Sequence, residues 1–206
     1  MRKWFIAFLV ANAIPLIGVL YFDWNFLELV VLYWAETIIV GFYSVLRILK
    51  VEKLGDQRMS SAVFFAVHFS AFILMSIIGM KIIFIDLLGH FPGNYDSLWP
   101  LLNPMPLLRQ FSLDSLLISS IMFFISHGVI YKEKYLETNA YKTAEIRGLM
   151  SDPYMRLLPI DGVMVLAGSF YIMIGNQAPW IIFAFIGLKI YADFFAGKGG
   201  DKIEMT

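Results

Sequence analysis

The sequence predicts an all-α fold, a bundle of six transmembrane helices forming a single integral membrane domain over residues 1–206. Three observations carry that prediction. First, 59% of the residues are hydrophobic and only 16% are charged, with a mean hydropathy of +0.72, whereas a soluble domain carries about 25% charge. Second, the apolar residues fall in blocks of roughly twenty, the length that crosses a hydrocarbon core of about 30 Å as a helix. Third, stretches rich in lysine and arginine alternate along the chain with connections that have almost none, which puts them on one side of a six-helix path.

The spans predicted in order are 4–22, 26–49, 62–84, 113–131, 155–174 and 178–196. The first pair is joined by a tight turn at Asp23–Asn25, "DWN", and the last pair by Gly175–Pro179, "GNQAP". Both use turn-forming residues where a break is needed. The third connection, His90–Ser112, is long and rich in proline and aromatic residues. The fourth, Lys132–Asp152, is polar, and its "TNAYKTAEIRGLM" reads as a short surface helix. In "SDPY", Asp152 has the chemistry of an N-cap and Pro153 that of a first helical residue, which places the start of the fifth helix there. The apolar run at the N-terminus is long enough to span and lacks a small-x-small cleavage site, so it reads as a helix rather than a leader.

Thirteen of the sixteen cationic residues lie on one side of this path: Arg2, Lys3, Arg47, Lys50, Lys53, Arg58, Lys132, Lys134, Lys142, Arg147, Arg156, Lys198 and Lys202. Cytoplasmic loops carry the excess of lysine and arginine, so both termini are expected in the cytoplasm and the chain in the cell membrane as a multi-pass protein. The expected partner is the lipid bilayer. A net charge of zero speaks against nucleic acid. The chain has no cysteine, which excludes disulfides, thiolate metal sites and a cysteine nucleophile.

Charge within a span costs about 2.5–3.5 kcal/mol at the helix centre, so such residues face other helices, water or each other. Glu36 stands mid-way along the second helix, on a face that also carries Leu29, Tyr33, Tyr43 and Arg47. His68, His127, Asp161 and Asp193 all fall between the midplane and the cytoplasmic surface of the path. Five helices therefore bring an acid or an imidazole to one slab, and His68 and Asp161 are the expected partners of Glu36. Each residue also has a structural reading. Glu36 can be a protonated acid bonded across helices, and His68 a packing residue. His127 lies near the interface. Asp161 can serve as an acid near a helix N-terminus. Lys189 and Asp193, four apart, can neutralise each other, and Arg156 can be a cytoplasmic anchor.

"NAIPLIGVLYFDWNFLELVVLYWAETIIVGFYSVLRI" resembles the first two helices of an uncharacterised prokaryotic family of multi-pass membrane proteins, a domain-of-unknown-function class marked by Tyr-Trp-x-Glu in its second helix. The resemblance continues in "HFSAF" (His68 to Phe72), "FISHGVIY" (Phe124 to Tyr131), "DPYMR" (Asp152 to Arg156) and "LKIYADF" (Leu188 to Phe194), and so extends over nearly the whole chain. It implies a six-helix fold and matching roles for Tyr33, Trp34, Glu36, His68, Ser126, His127, Pro153, Tyr154, Arg156, Lys189 and Asp193. It implies no activity. Ser76 and Asp161 stand where relatives carry histidine, which weakens a histidine-rich metal site in this chain.

Three functions compete. In an intramembrane enzyme, a divalent metal such as zinc would be held by His68, His127 and Asp161 with one position open to water, and Glu36 would be the catalytic base. Tyr33, Arg156, Lys189 and Asp193 would be the binding residues of that site. In a proton- or ion-coupled transporter, the same Glu, His and Asp residues would relay protons; six spans are few for that, and a homo-oligomer would compensate. In a non-catalytic assembly subunit, the polar groups would set helix register.

Overall fold

The computed structural model describes the backbone of residues 3–24, 26–86, 113–174 and 179–200. Side chains are described within those ranges except at 27, 80–86, 113, 159, 167–168, 171–174, 179, 181 and 192–200. The described chain is all-α, with six long helices: α1 Lys3–Tyr21, α2 Phe26–Lys50, α3 Arg58–Asp86, α4 Leu113–Tyr131, α5 Ile146–Ile174 and α6 Pro179–Gly200. A 3-10 segment, Glu52–Gln57, joins α2 to α3. A single π turn, Lys132–Leu136, and a 3-10 turn, Ala140–Lys142, follow α4. The expected connections over 90–112 and 175–178 lie outside the described residues.

The turn after α1 forms as its residues dictate. The amides of Phe22 and Trp24 both donate to the Gly18 carbonyl, at 3.0 and 3.2 Å, and Asp23 takes a left-handed conformation with φ of 52°. The chain thereby reverses within a few residues.

α2 is the central helix. It packs against α3, α4 and α5, while α1 lies against α4, and α6 lies against α5 and α1. Its Phe26, Leu29, Val30, Val31, Leu32, Tyr33 and Trp34 are all buried. A helix that is apolar nearly all round must be enclosed by others. The core joins these residues to Phe65, Phe69 and Ile73 of α3, Leu157, Ile160 and Met164 of α5, and Phe185 and Ile186 of α6. Close approach of α2 and α3 depends on Gly41, where a β-carbon would lie 2.6 Å from the Phe69 ring.

The outer surface is apolar. Leu9 and Leu20 of α1, Phe64 and Val67 of α3, Ile121 and Ile125 of α4, and Leu166 of α5 are all exposed. The interior holds Glu36 and Lys189, at 4% and 3% exposure. This inverts the usual arrangement of a protein folded in water, which rarely shows apolar patches above a few hundred Å². Among the described residues, four segments are long and apolar enough to cross a membrane: Lys3–Tyr21, Glu28–Lys50, Glu52–Gly79 and Asp114–Leu136. Ile182–Tyr191 is a shorter apolar stretch.

The start of the fifth helix differs from the sequence expectation. α5 begins at Ile146 and runs through Pro153 and Pro159 to Ile174. Asp152 is therefore an interior residue of the helix and not its cap, and "TNAYKTAEIRGLM" is not a separate surface helix. Ile146, Leu149 and Met150 pack against the core, and this burial offsets the backbone hydrogen bonds that the prolines cannot make.

The α2–α3 contact yields a test. Gly41→Ala should lower the unfolding midpoint of the detergent-solubilised protein, since overpacking costs about 1–3 kcal/mol. Gly79→Ala, whose β-carbon would meet nothing within 4 Å, should leave it unchanged or raise it. Equal midpoints for the two variants would contradict the packing.

Candidate functional site

Glu36 projects from the middle of α2 into the space between α1, α4 and α6. Glu36 and Lys189 each stand ten residues into their helices (Phe26 to Glu36, Pro179 to Lys189), about 15 Å along either axis. Their side chains meet in the bundle interior. The Lys189 ammonium lies 2.9 Å from Glu36 Oε2 and donates to Oε1 at 3.1 Å. Only the Oε1 contact is aligned as a hydrogen bond; Oε2 is held by charge attraction. The ammonium also donates to Asn12 Oδ1 at 3.2 Å. Asn12 turns its amide nitrogen to the Phe8 carbonyl at 3.0 Å, so its oxygen is left to accept from lysine. The Phe123 ring lies 5.7 Å from Nζ, within cation–π range.

His127 of α4 makes a second contact with the same carboxylate. Its Nε2 is 3.4 Å from Glu36 Oε1, a long contact, and both residues are buried. The contact is attractive when Nε2 carries a proton. α4 is held close to α2 by Tyr43, whose hydroxyl donates to the Phe124 carbonyl at 3.0 Å. Gly128 makes room for that hydroxyl, because a β-carbon there would stand 2.7 Å from it. The centre thus gathers one residue from each of α1, α2, α4 and α6. With a neutral imidazole its net charge is zero, and with a protonated imidazole it is +1.

A small cavity adjoins the carboxylate, with room for about one water molecule. Its walls are Pro15, Leu32, Tyr33, Phe123, Phe185 and Ile186, among others. On α2 and α6 the wall residues precede Glu36 and Lys189. The cavity therefore extends from the ion pair toward the α1–α2 turn, away from the end where the basic residues cluster. Tyr33 meets Phe185 edge-on at 6.5 Å.

His68 and Asp161 are not at this centre. His68 is an exposed residue of α3, stacked on Phe64 at 5.7 Å. Its Nδ1 lies 2.6 Å from the Tyr154 hydroxyl of α5, and the phenol donates when Nδ1 is unprotonated. Asp161 accepts from the Ser76 hydroxyl at 2.9 Å, and Ser76 accepts from Trp34 Nε1 at 3.3 Å. These contacts lie on the α3–α5 side of α2. Trp34 and Glu36, two residues apart, point about 160° from each other at 100° per residue. The Tyr-Trp-x-Glu stretch thus connects the central helix to neighbours on opposite sides.

Among the described residues, no three His, Asp or Glu side chains are grouped to hold a metal. His127 is with Glu36, while His68 and Asp161 have other partners. This arrangement does not support the zinc site expected from the sequence. The partners of Glu36 are His127 and Lys189, where the sequence pointed to His68 or Asp161. Lys189, expected beside Asp193, reaches across the bundle to Glu36. The Asp193 side chain lies outside the described residues. Arg156 stands near Arg47 and Asp152 at the basic end of the bundle. Asn12 escaped the sequence reading. Its signal was the amide in "VANAIP", polar within an otherwise apolar helix.

No curated protein and no solved structure matches the chain. A family model does match, over residues 2–202, and it is described as a family of unknown function. With nearly its whole length covered, the chain belongs to the DUF6498 family.

Proposed function

We propose that this chain is a six-helix integral membrane protein, a single domain with both termini in the cytoplasm, and that its Glu36–His127–Lys189 centre takes up and releases a proton as part of coupled transport. One observation carries the reading: a single buried carboxylate is shared by an ammonium and an imidazole from two different helices, at 2.9 and 3.4 Å. The apolar outer surface and the lysine and arginine distribution support the membrane setting. Intramembrane ionisable groups are functional by default, and proton relays are among their recurring roles.

The chemistry follows from the charge balance. A proton on His127 makes the ring a second cation competing for Glu36. The carboxylate then shifts its weight from Lys189 on α6 toward His127 on α4. Release of the proton returns it to Lys189. Proton occupancy is thereby coupled to the relative positions of α4 and α6. On the basic side, the rings of Tyr43 and His127 are 6.5 Å apart, those of Tyr43 and Tyr131 5.7 Å, and those of Tyr131 and Tyr135 5.8 Å. This column of neighbouring rings reaches from Glu36 toward the cytoplasmic end, with the Tyr43 and Tyr135 hydroxyls donating to the Phe124 and Arg47 carbonyls. On the other side lies the small cavity.

A second reading has its own support. The cavity is small and the polar groups satisfy one another, as in a device that sets helix register. The two readings separate by experiment. In proteoliposomes carrying a pH-sensitive dye and driven by a potassium diffusion potential, Glu36→Gln should abolish the proton flux of the wild-type protein. Equal flux in the two would end the transport reading. Absence of wild-type flux would favour the register device.

The ion pair itself has a separate check. Lys189→Met should destabilise the protein by about 3–5 kcal/mol, because it leaves a buried carboxylate with only the long imidazole contact. The Glu36→Gln/Lys189→Met double variant should lose less than the sum of the two single losses, measured by detergent-unfolding midpoints. Strict additivity would show that the two groups do not interact.

A further inference from the structure

The outer face of α3 carries a polar group that the Glu36 centre does not use. His68 stands ten residues into α3, about 15 Å along the helix from Arg58, within the apolar segment Glu52–Gly79. Around it on the helix surface Phe64 and Val67 are 63% and 67% exposed. An imidazole on such a surface faces hydrocarbon, where a polar group without a hydrogen-bond partner is costly.

One ring nitrogen is satisfied. Nδ1 lies 2.6 Å from the Tyr154 hydroxyl of α5. Tyr154 is itself held in place, edge-on to Phe65, Phe69 and Phe72 at 6.3, 5.2 and 5.5 Å. A neutral imidazole that accepts from this phenol at Nδ1 carries its proton on Nε2. Nε2 has no hydrogen-bond partner among the described residues. The imidazole is flanked by Phe64, stacked at 5.7 Å, and by Phe72, tilted at 6.4 Å. Aromatic rings and one N–H donor are thus presented together to the membrane.

Beyond this level the seam between α3 and α5 is shallow. Met75 and Gly79 lie within about 20° of His68 around α3 at 100° per residue, and Gly162 of α5 is exposed. A β-carbon at Gly79 or Gly162 would meet nothing within 4 Å. An apolar chain can lie there against the flexible Met75 side chain, which is 66% exposed.

The partner that completes this site is a hydrogen-bond acceptor. It dissolves in the bilayer, it is flat enough to lie against phenyl rings, and it carries an apolar tail. The ester carbonyls of phospholipids stay in an interfacial layer about 5–8 Å thick, and His68 lies deeper. A carbonyl at the edge of a conjugated ring meets every condition. We propose that His68, positioned by Tyr154, binds the ring carbonyl of a membrane-soluble quinone on the α3–α5 face of the bundle. The proposal rests on the membrane setting of α3 and not on proton exchange at Glu36.

The test uses the full-length protein in phosphatidylcholine nanodiscs at increasing ratios of decylubiquinone to lipid. The unfolding midpoint reads binding, since a ligand specific for the folded state stabilises it. The infrared carbonyl band of the quinone reads the hydrogen bond. The expected results are a saturable rise in midpoint and a bound carbonyl band at lower frequency. His68→Phe keeps an aromatic ring and removes the donor; it should abolish the band shift and weaken binding about two- to tenfold, the loss of one hydrogen bond. His68→Gln, which keeps an N–H donor, should restore part of the shift. Tyr154→Phe, which frees the imidazole proton to sit on either nitrogen, should reduce the shift without removing it. A photoreactive azidoquinone should label α3 or α5 around His68 and Tyr154 in the wild-type protein, a readout that needs no variant. Failure to enter nanodiscs overturns the membrane setting and the proposal with it. In incorporated protein the proposal alone is overturned if binding is not saturable, if labelling falls on other helices, or if folded His68→Phe matches the wild type in both readouts. Loss of a dimer in His68→Phe without any quinone effect assigns the face to a second copy of the chain and overturns it as well.

Discussion

The structure depends on one ion pair placed where an isolated charge cannot stay. An unpaired carboxylate or ammonium in an apolar interior costs several kcal/mol even after the protein relaxes. Glu36 and Lys189 are both almost fully buried and lie 2.9 Å apart. Each makes the other tolerable, and together they fix how far α2 and α6 can slide past one another. A one-residue slip along either helix moves its side chain by about 1.5 Å and turns it through about 100°, enough to separate the pair. His127 extends the constraint to α4 through the carboxylate, and Asn12 extends it to α1 through Lys189, so the ion pair links the central helix to α1, α4 and α6.

The other side of α2 is held by different chemistry. Trp34 reaches Ser76 of α3, and Ser76 reaches Asp161 of α5. Phe65 and Phe69 stack at 5.2 Å, and Tyr154 meets Phe69 edge-on at 5.2 Å. Gly41 admits the Phe69 ring against the α2 backbone. Packing and a chain of two hydrogen bonds join α2, α3 and α5 there, while the ion pair and its partners join α1, α2, α4 and α6.

The helices were legible in the sequence because their signal is one-dimensional. Long apolar blocks and the placement of Lys and Arg depend only on position along the chain. Position along a helix is one-dimensional too, and Glu36 and Lys189 stand equally far into theirs. The rotation of one helix about another is not a one-dimensional quantity. His68 and His127 are both imidazoles in the same half of the path, yet His127 faces Glu36 while His68 is exposed on α3 beside Tyr154. Lys189 was read against Asp193 because a spacing of four is visible in sequence, and a partner 153 residues away is not. The start of α5 was missed because Pro153 is a local signal for a helix start, whereas the burial of Ile146 and Leu149 that carries the helix through it is a tertiary effect.

The Glu36 centre and the basic end of the bundle are parts of one mechanical element. Glu36, Tyr43 and Arg47 lie within about 40° of one another around α2 at 100° per residue, so a single face of the central helix carries an acid in the middle and a base at its end. Each needs its charge answered by a different outer helix: α6 and α4 supply the ammonium and imidazole for Glu36, and α5 supplies Asp152 for Arg47. Any rotation of α2 therefore turns both groups together, so the fit of Glu36 between α4 and α6 also sets where the Arg47 side chain meets its neighbours.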